Sequence, residues 1–318
     1  MTFTDLTDLA SRVLGGGVVA ANDEFFAAMD NLVNPEPSGH ETWTYGPKGK
    51  VYDGWETRRR RSPGHDWAIV RLGAPGRIHG VVVDTAHFTG NYPPHVSVDA
   101  AELPGHPSPD ELAAAAWTGI VAKSPVRGDH RNHFPVADPA RYTHVRLNIF
   151  PDGGVARLRV HGEARPDPAL LHGLTANLAA MELGAVVAGC SDRFYGSPGN
   201  LLLPDRPRRM SEGWETARRR EPGNEWVLVR LAAAGRIRLV ELDTTHFKGN
   251  APGAASLRAT ADPADESAWF DLLARTPTQP DTRHFFRLDS DRPASHVRLD
   301  IYPDGGMSRL RLWGETGP

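Results

Sequence analysis

The strongest constraint in this chain is that it repeats itself. The run Gly54 to Asn91 returns as Gly213 to Asn250, with 24 of 38 aligned positions identical and no gap. Whatever the first half folds into, the second half must fold into as well. A second block, His144 to Gly154, returns as His296 to Gly306. A weaker echo sets Asn22-Asp23-Glu24-Phe25-Phe26 against Ser191-Asp192-Arg193-Phe194-Tyr195. The blocks keep their order, and 318 residues give each copy the size of a domain, not of a short solenoid unit. The sequence therefore predicts one repeat over residues 1–165 and another over 166–318. They join near Arg165-Pro166-Asp167-Pro168, where prolines interrupt regular structure.

Within each copy the strand signal dominates. Val145-Arg146-Leu147-Asn148-Ile149 and Val297-Arg298-Leu299-Asp300-Ile301 alternate apolar and polar residues. A period of two puts the aliphatic side chains on one face. Arg157-Leu158-Arg159-Val160 and Arg309-Leu310-Arg311-Leu312 alternate in the same way. The intervening Pro-Asp-Gly-Gly predicts a hairpin, because proline presets φ and glycine accepts a positive one. Further strands are expected at Trp67 to Leu72, Ile78 to Asp84, Trp226 to Leu231 and Ile237 to Asp243. Many short strands with Gly/Pro turns predict an all-β chain of two tandem β-sandwich or jelly-roll domains, with short helices in the connections. Ser108-Pro109-Asp110-Glu111 is a capping box opening a helix through Trp117. Its counterpart is expected over Asp262 to Ala274, and a further helix over Ala169 to Leu183. Trp55, Trp67, Trp214 and Trp226 are expected in the cores.

Composition excludes several classes of function. A formal net charge of −3 gives no basic excess for nucleic acid. No apolar run approaches the roughly 18 residues that a membrane span needs. Residues Met1 to Leu14 carry Asp5 and Asp8 without a basic leader, so they do not read as a secretory signal. Cys190 is the only cysteine, which fits a reducing, cytoplasmic setting. It reads as a small buried hydrophobe matched by Ala21 in the other copy.

Two sets of residues resemble known families. Asp53-Gly54-Trp55-Glu56, Trp67, Arg71-Leu72-Gly73, Ile78 and Val81 resemble the galactose-binding-like jelly-roll pattern. The longer strings Gly54 to Arg61, Asp84 to Asn91 and His144 to Gly154, each present in tandem, resemble the allantoicase family over nearly the whole chain. That resemblance implies a cytosolic hydrolase of allantoin and purine catabolism, forming homo-oligomers. Its reaction splits allantoate into urea and ureidoglycolate. The alternative is a non-enzymatic tandem jelly roll that binds carbohydrate or another ligand. Such a module favours a secretion signal, exposed loop aromatics and disulfides.

The substrate implied by the resemblance carries one carboxylate and two ureido groups on a tetrahedral carbon. Urea is a poor leaving group that needs a proton, and water must be delivered to the carbon, so histidine and carboxyl groups are wanted. The carboxylate suits an arginine fork. Glu56 with Arg60, and Glu215 with Arg219, recur behind each tryptophan; they either serve the substrate or form ion pairs on a sheet face. Asp84 and His87, with Asp243 and His246, end a strand and enter a loop. There each histidine is either the acid or base or is satisfied by loop backbone. Asn91 and Asn250 would bind a ureido group or accept a left-handed turn. His144 and His296, with Arg146 and Arg298 beside them on the polar face, stand at a strand start, where they either line the same end and bind substrate or are structural residues of the strand. Asp152 and Asp304 read as turn residues. Asp129-His130-Arg131-Asn132-His133 invites a metal, but no His-Glu-x-x-His spacing occurs and Asp281-Thr282-Arg283-His284-Phe285 does not keep both histidines. No cofactor is expected. Which repeat reacts stays open at the level of sequence.

Overall fold

The computed structural model describes residues 2–39, 43–171 and 173–316. Contacts divide the chain into one unit ending at Arg165 and one starting at Pro166. Each unit is all-β and is organised by one strand of 19 residues, Asp66–Asp84 in the first and Glu225–Asp243 in the second. The sequence suggested two strands here. The backbone instead stays extended through the middle and exchanges its partners. Its first half pairs with Gly17–Ala21 and Arg141–Phe150; its second half pairs with Arg157–Ala164 and Arg131–Pro135. His95–Ala101 and Thr118–Pro125 extend the first layer. The second unit repeats this order with Val186–Cys190, Ala294–Tyr302, Arg309–Thr316 and Arg283–Arg287 around its own long strand.

The two halves of the long strand therefore belong to two layers around one core. Val70 and Leu72 from the first half, Val81 and Val83 from the second, and Val145, Leu147, Leu158 and Val160 from the flanking strands share a single buried cluster. Val229, Val240, Val297 and Leu310 do the same in the second unit. The expected alternation is thus realised, with apolar residues inward and Arg146, Arg159, Arg298 and Arg311 outward.

Several expectations are corrected. Pro-Asp-Gly-Gly does not close a hairpin. Arg141–Phe150 and Arg157–Ala164 do not pair with one another; each pairs with a different half of the long strand. The turn is a corner where the chain leaves one layer for the other. Gly153 and Gly305 have positive φ there, 140° and 131°. A Cβ on Gly154 or Gly306 would overlap the ring of Phe88 or Phe247. The motif is retained because the corner is tight.

The Ala169–Leu183 helix is absent among the described residues of that segment, which exclude His172. Two short 3-10 turns flank a strand, Thr175–Asn177, that docks on Arg309–Thr316. Asn177 holds it there, its Oδ1 accepting the Leu312 N–H at 2.8 Å. Asp262–Ala274 is also not a helix. After the 3-10 turn Glu266–Ala268, strand Phe270–Pro277 pairs with Ala254–Thr260. Sheet pairing and burial of Leu272 outweigh helix propensity there. Pro109–Ala114 is helical with the expected capping box but stops short of Trp117, because Thr118 begins an edge strand. Trp55 and Trp214 are fully buried, whereas Trp67 and Trp226 are only half-buried. Cys190 is half-buried against the second core, as Ala21 is against the first.

Candidate active site

The two-residue strand Trp55–Glu56 pairs with Gly154–Val155, just beyond the corner. Burial of Trp55 anchors it, and the indole N–H donates to the Asp23 carbonyl at 2.8 Å. The next residue, Glu56, is half-buried, and its Oε1 accepts from Asn91 Nδ2 at 2.7 Å. Desolvation raises the Glu56 pKa above the ordinary carboxylic-acid value, against the lowering effect of the Asn91 bond. The second unit repeats the pair, with Asn250 Nδ2 donating to Glu215 Oε1 at 2.6 Å and the Trp214 indole donating to Asp192 O at 2.9 Å.

The Glu56 carbonyl accepts the N–H groups of Phe26 and Ala27, so the loop Asn22–Ala28 lies directly on this strand. That loop, with Lys48 and Arg58, lines an open cavity of about 570 Å³. Asp23 sets the cavity's edge. Its Oδ2 accepts from Arg58 Nε at 2.6 Å and its Oδ1 accepts the Phe25 and Arg58 N–H groups. Burial is the largest single influence and raises the Asp23 pKa, but these bonds and the Arg58 charge together outweigh it and bring the pKa down. Lys48 lies 4.5 Å above the Phe25 ring. In the second unit Ala217 stands where Arg58 does. The connection before Gly213 is ten residues shorter than that before Gly54, so the Tyr45–Gly46/Gly49–Lys50 hairpin has no counterpart.

The other sequence-derived residues lie in separate pairwise contacts. Arg60 Nη1 donates to buried Asp66 at 2.7 Å, and its N–H donates to Asp152 at 2.6 Å. Arg219 does the same with Glu225 at 2.6 Å and Asp304 at 2.7 Å. These arginines clasp the long strand to the corner. Asp84 and Asp243 are buried, each accepting an N–H two residues on, from Ala86 at 2.9 Å and Thr245 at 2.8 Å. His87 and His246 occupy left-handed backbone, φ 69° and 72°. Their N–H groups donate to Asp129 and Asp281, and their Nε2 atoms lie 3.1 Å from the carbonyls of Ser38 and Pro207.

His144 is 2% exposed, with Nδ1 2.8 Å from Thr143 Oγ1. Burial and neighbouring Arg71 lower its pKa to about 4. His296 is shifted in the same direction by burial and Arg230. Arg146 pairs with Asp99 at 2.8 Å and covers Trp117; Arg298 pairs with Asp300 at 2.9 Å and covers Trp226. Of the sequence-derived set, the structure joins Glu56 with Asn91 and Glu215 with Asn250. Among the described residues no group of three or more His, Cys, Asp or Glu side chains is placed to hold a metal ion. Sequence reasoning missed Asp23, Lys48 and Arg58. The recurrence of Asp23 as Asp192 inside the weaker echo is the available signal for the first; Arg58 has Ala217 in its place in the copy, so repetition does not point to it.

These features define a class: a duplicated β-sandwich protein carrying an acidic side chain clamped by an asparagine at the same edge of each unit. The Allantoicase repeat family matches residues 7–165 and 176–317. The chain is 57% identical to a probable allantoicase of Nocardia farcinica, over 99% of this chain and 96% of that one. It is 40% identical to an allantoicase of Dictyostelium discoideum, over 97% and 87%. The crystal structure of allantoicase from Saccharomyces cerevisiae superposes with a TM-score of 0.81 at 36% identity, covering 97% of this chain and 92% of that one. The chain belongs to the allantoicase family.

Proposed function

We infer that this chain hydrolyses allantoate to ureidoglycolate and urea. The observation that carries this reading is its likeness to allantoicases from bacteria and a eukaryote along nearly the full length of both partners. The exposed loop pairs Phe25–Phe26 and Phe194–Tyr195 are the one feature shared with a non-enzymatic tandem binding protein, and the full-length likeness outweighs it.

Within the first unit, Glu56 is the proton-transfer group. Its raised pKa keeps a protonated fraction available at higher pH than an ordinary glutamate would. It donates to the departing ureido nitrogen as the carbon–nitrogen bond breaks, and the carboxylate so formed accepts a proton from the water that supplies the new hydroxyl. Asn91 holds Glu56 in one orientation. Arg58 and Lys48, on the cavity wall, attract the substrate carboxylate. A cytoplasmic homo-oligomer is part of the same reading.

The test is urea release from allantoate by the purified protein. Glu56→Gln should lower kcat/KM by about 10²–10⁴-fold, the usual range for a lost acid–base group. A wild-type protein that releases no urea would end the functional reading; an unimpaired Glu56→Gln would end the residue assignment alone.

A further inference from the structure

The loop lying on each acidic strand carries two aromatic rings at matched positions. Phe25 and Phe26 meet edge to face at 5.1 Å between centroids, and Phe194 and Tyr195 do so at 4.7 Å. In the first unit, cations of the same unit cover the pair. Arg58 stands over the Phe25 ring at 5.4 Å and Lys48 at 4.5 Å. In the second unit Ala217 replaces Arg58, and the hairpin bearing Lys48 has no counterpart. Exposure follows: Phe25 and Phe26 are 40% and 39% exposed, Phe194 and Tyr195 71% and 66%. Neighbouring rings held out into water in this way mark a contact surface.

The charges beside the second pair of rings are uncovered too. Asp23 and Arg58 form an ion pair within the first unit, at 2.6 Å. Asp192 keeps only the backbone part of that arrangement. Its Oδ1 accepts the N–H groups of Phe194 at 2.8 Å and Ala217 at 3.2 Å. Arg193 follows it, exposed, where the first unit has Glu24. Among the described residues neither Asp192 nor Arg193 has an ion-pair partner.

The loop is nevertheless held in one place. The Tyr195 and Gly196 N–H groups donate to the Glu215 carbonyl at 3.2 and 3.1 Å, and the Trp214 indole donates to the Asp192 carbonyl at 2.9 Å. A surface ordered in advance loses little freedom on binding. Its occupant must bring a cation for Asp192, an anion for Arg193 and apolar surface for the rings. A small cation would satisfy Asp192 and leave the rest in water. The segment Asp192 to Tyr195 itself offers all three in consecutive residues, so the patch is complementary to its own copy turned about a two-fold axis.

We propose that the segment Asp192 to Tyr195 is an interface between two copies of this chain. Across the two-fold axis Arg193 pairs with the partner's Asp192 and covers the partner's Phe194, as Arg58 covers Phe25 within the first unit. The aromatic rings supply the buried apolar area, and the crossed charge pairs fix the register. The inference rests on the homo-oligomer of the proposed function and names the surface that forms it.

Sedimentation velocity of the full chain tests this. The wild type should self-associate. Arg193→Glu sets like charges against one another across the axis. It should raise the dissociation constant at least tenfold or, where association is too tight to dissociate, halve the mass of the particle. Phe194→Ser, also at an exposed position, should do the same. A wild type that sediments as a monomer at high micromolar concentration would overturn the proposal and the homo-oligomer with it. If either folded variant keeps the wild-type mass and dissociation constant, this surface is wrong while the oligomer stands. Urea release from allantoate is read separately, so neither result bears on the assignment of Glu56.

Discussion

Glu56 and His144 show how differently two polar residues of one repeated motif set can be used. Both stand in strings kept in each copy, and sequence assigned both to the substrate. Side-chain surroundings separate them: Glu56 keeps partial access and a single polar partner, whereas His144 is closed off. That difference was not legible in sequence, because alternation places His144 on the polar face without revealing what covers it. The consequence is measurable. With a folded pKa of about 4 against an ordinary 6.5, His144 stays neutral in the fold while the unfolded chain takes up the proton. Its contribution is complete above pH 6.5 and disappears as pH falls from 6.5 to 4, amounting to about 3 kcal/mol at most. Urea unfolding measured across that window should show a steeper loss of stability for the wild type than for His144→Gln. Parallel profiles would place the acid-sensitive group elsewhere.

At the scale of elements, the long strand and its corner organise each unit. The strand positions were readable from alternation, yet the partner of each was not. Pro-Asp-Gly-Gly satisfies the local rules of a hairpin, and nothing local says that the strands on either side go to different layers. What fastens the corner is a buried arginine. Arg157, 2% exposed, donates to the carbonyls of Glu36, Asp53 and Ala156 at 3.0, 3.0 and 2.8 Å and to Asp53 Oδ2 at 2.8 Å. Arg309 repeats the arrangement on Asp205, Glu212 and Ser308. Breaking such a cluster strands its acceptors in a dry site. Arg157→Met should therefore destabilise the chain by about 3 kcal/mol, the lower end expected for a broken buried pair because Asp53 keeps some contact with water. Denaturant unfolding of that variant reads the loss directly; a change within experimental error would mean that the carbonyls find other donors.

For the molecule as a whole, duplication has preserved the frame and let the sites drift. The second unit keeps Glu215 and Asn250 in contact but lacks a counterpart of Arg58 and of the Lys48 hairpin. If reaction depends on those cations, Glu215→Gln should retain most of the wild-type kcat/KM while Glu56→Gln loses it. Equal losses in the two single variants, measured by urea release, would instead require both units to work. The sequence by itself determined the duplication, the all-β character, the inward and outward faces of the strands and the family, because each is written in local periodicity or in long identical strings. Only the tertiary structure decided that the glycine turns are corners between layers, that Arg60 and His144 are drawn into packing, and that Glu56 meets Asn91. Those outcomes depend on which strands become neighbours, and side chains far apart in sequence acquire their burial and partners only when the layers close.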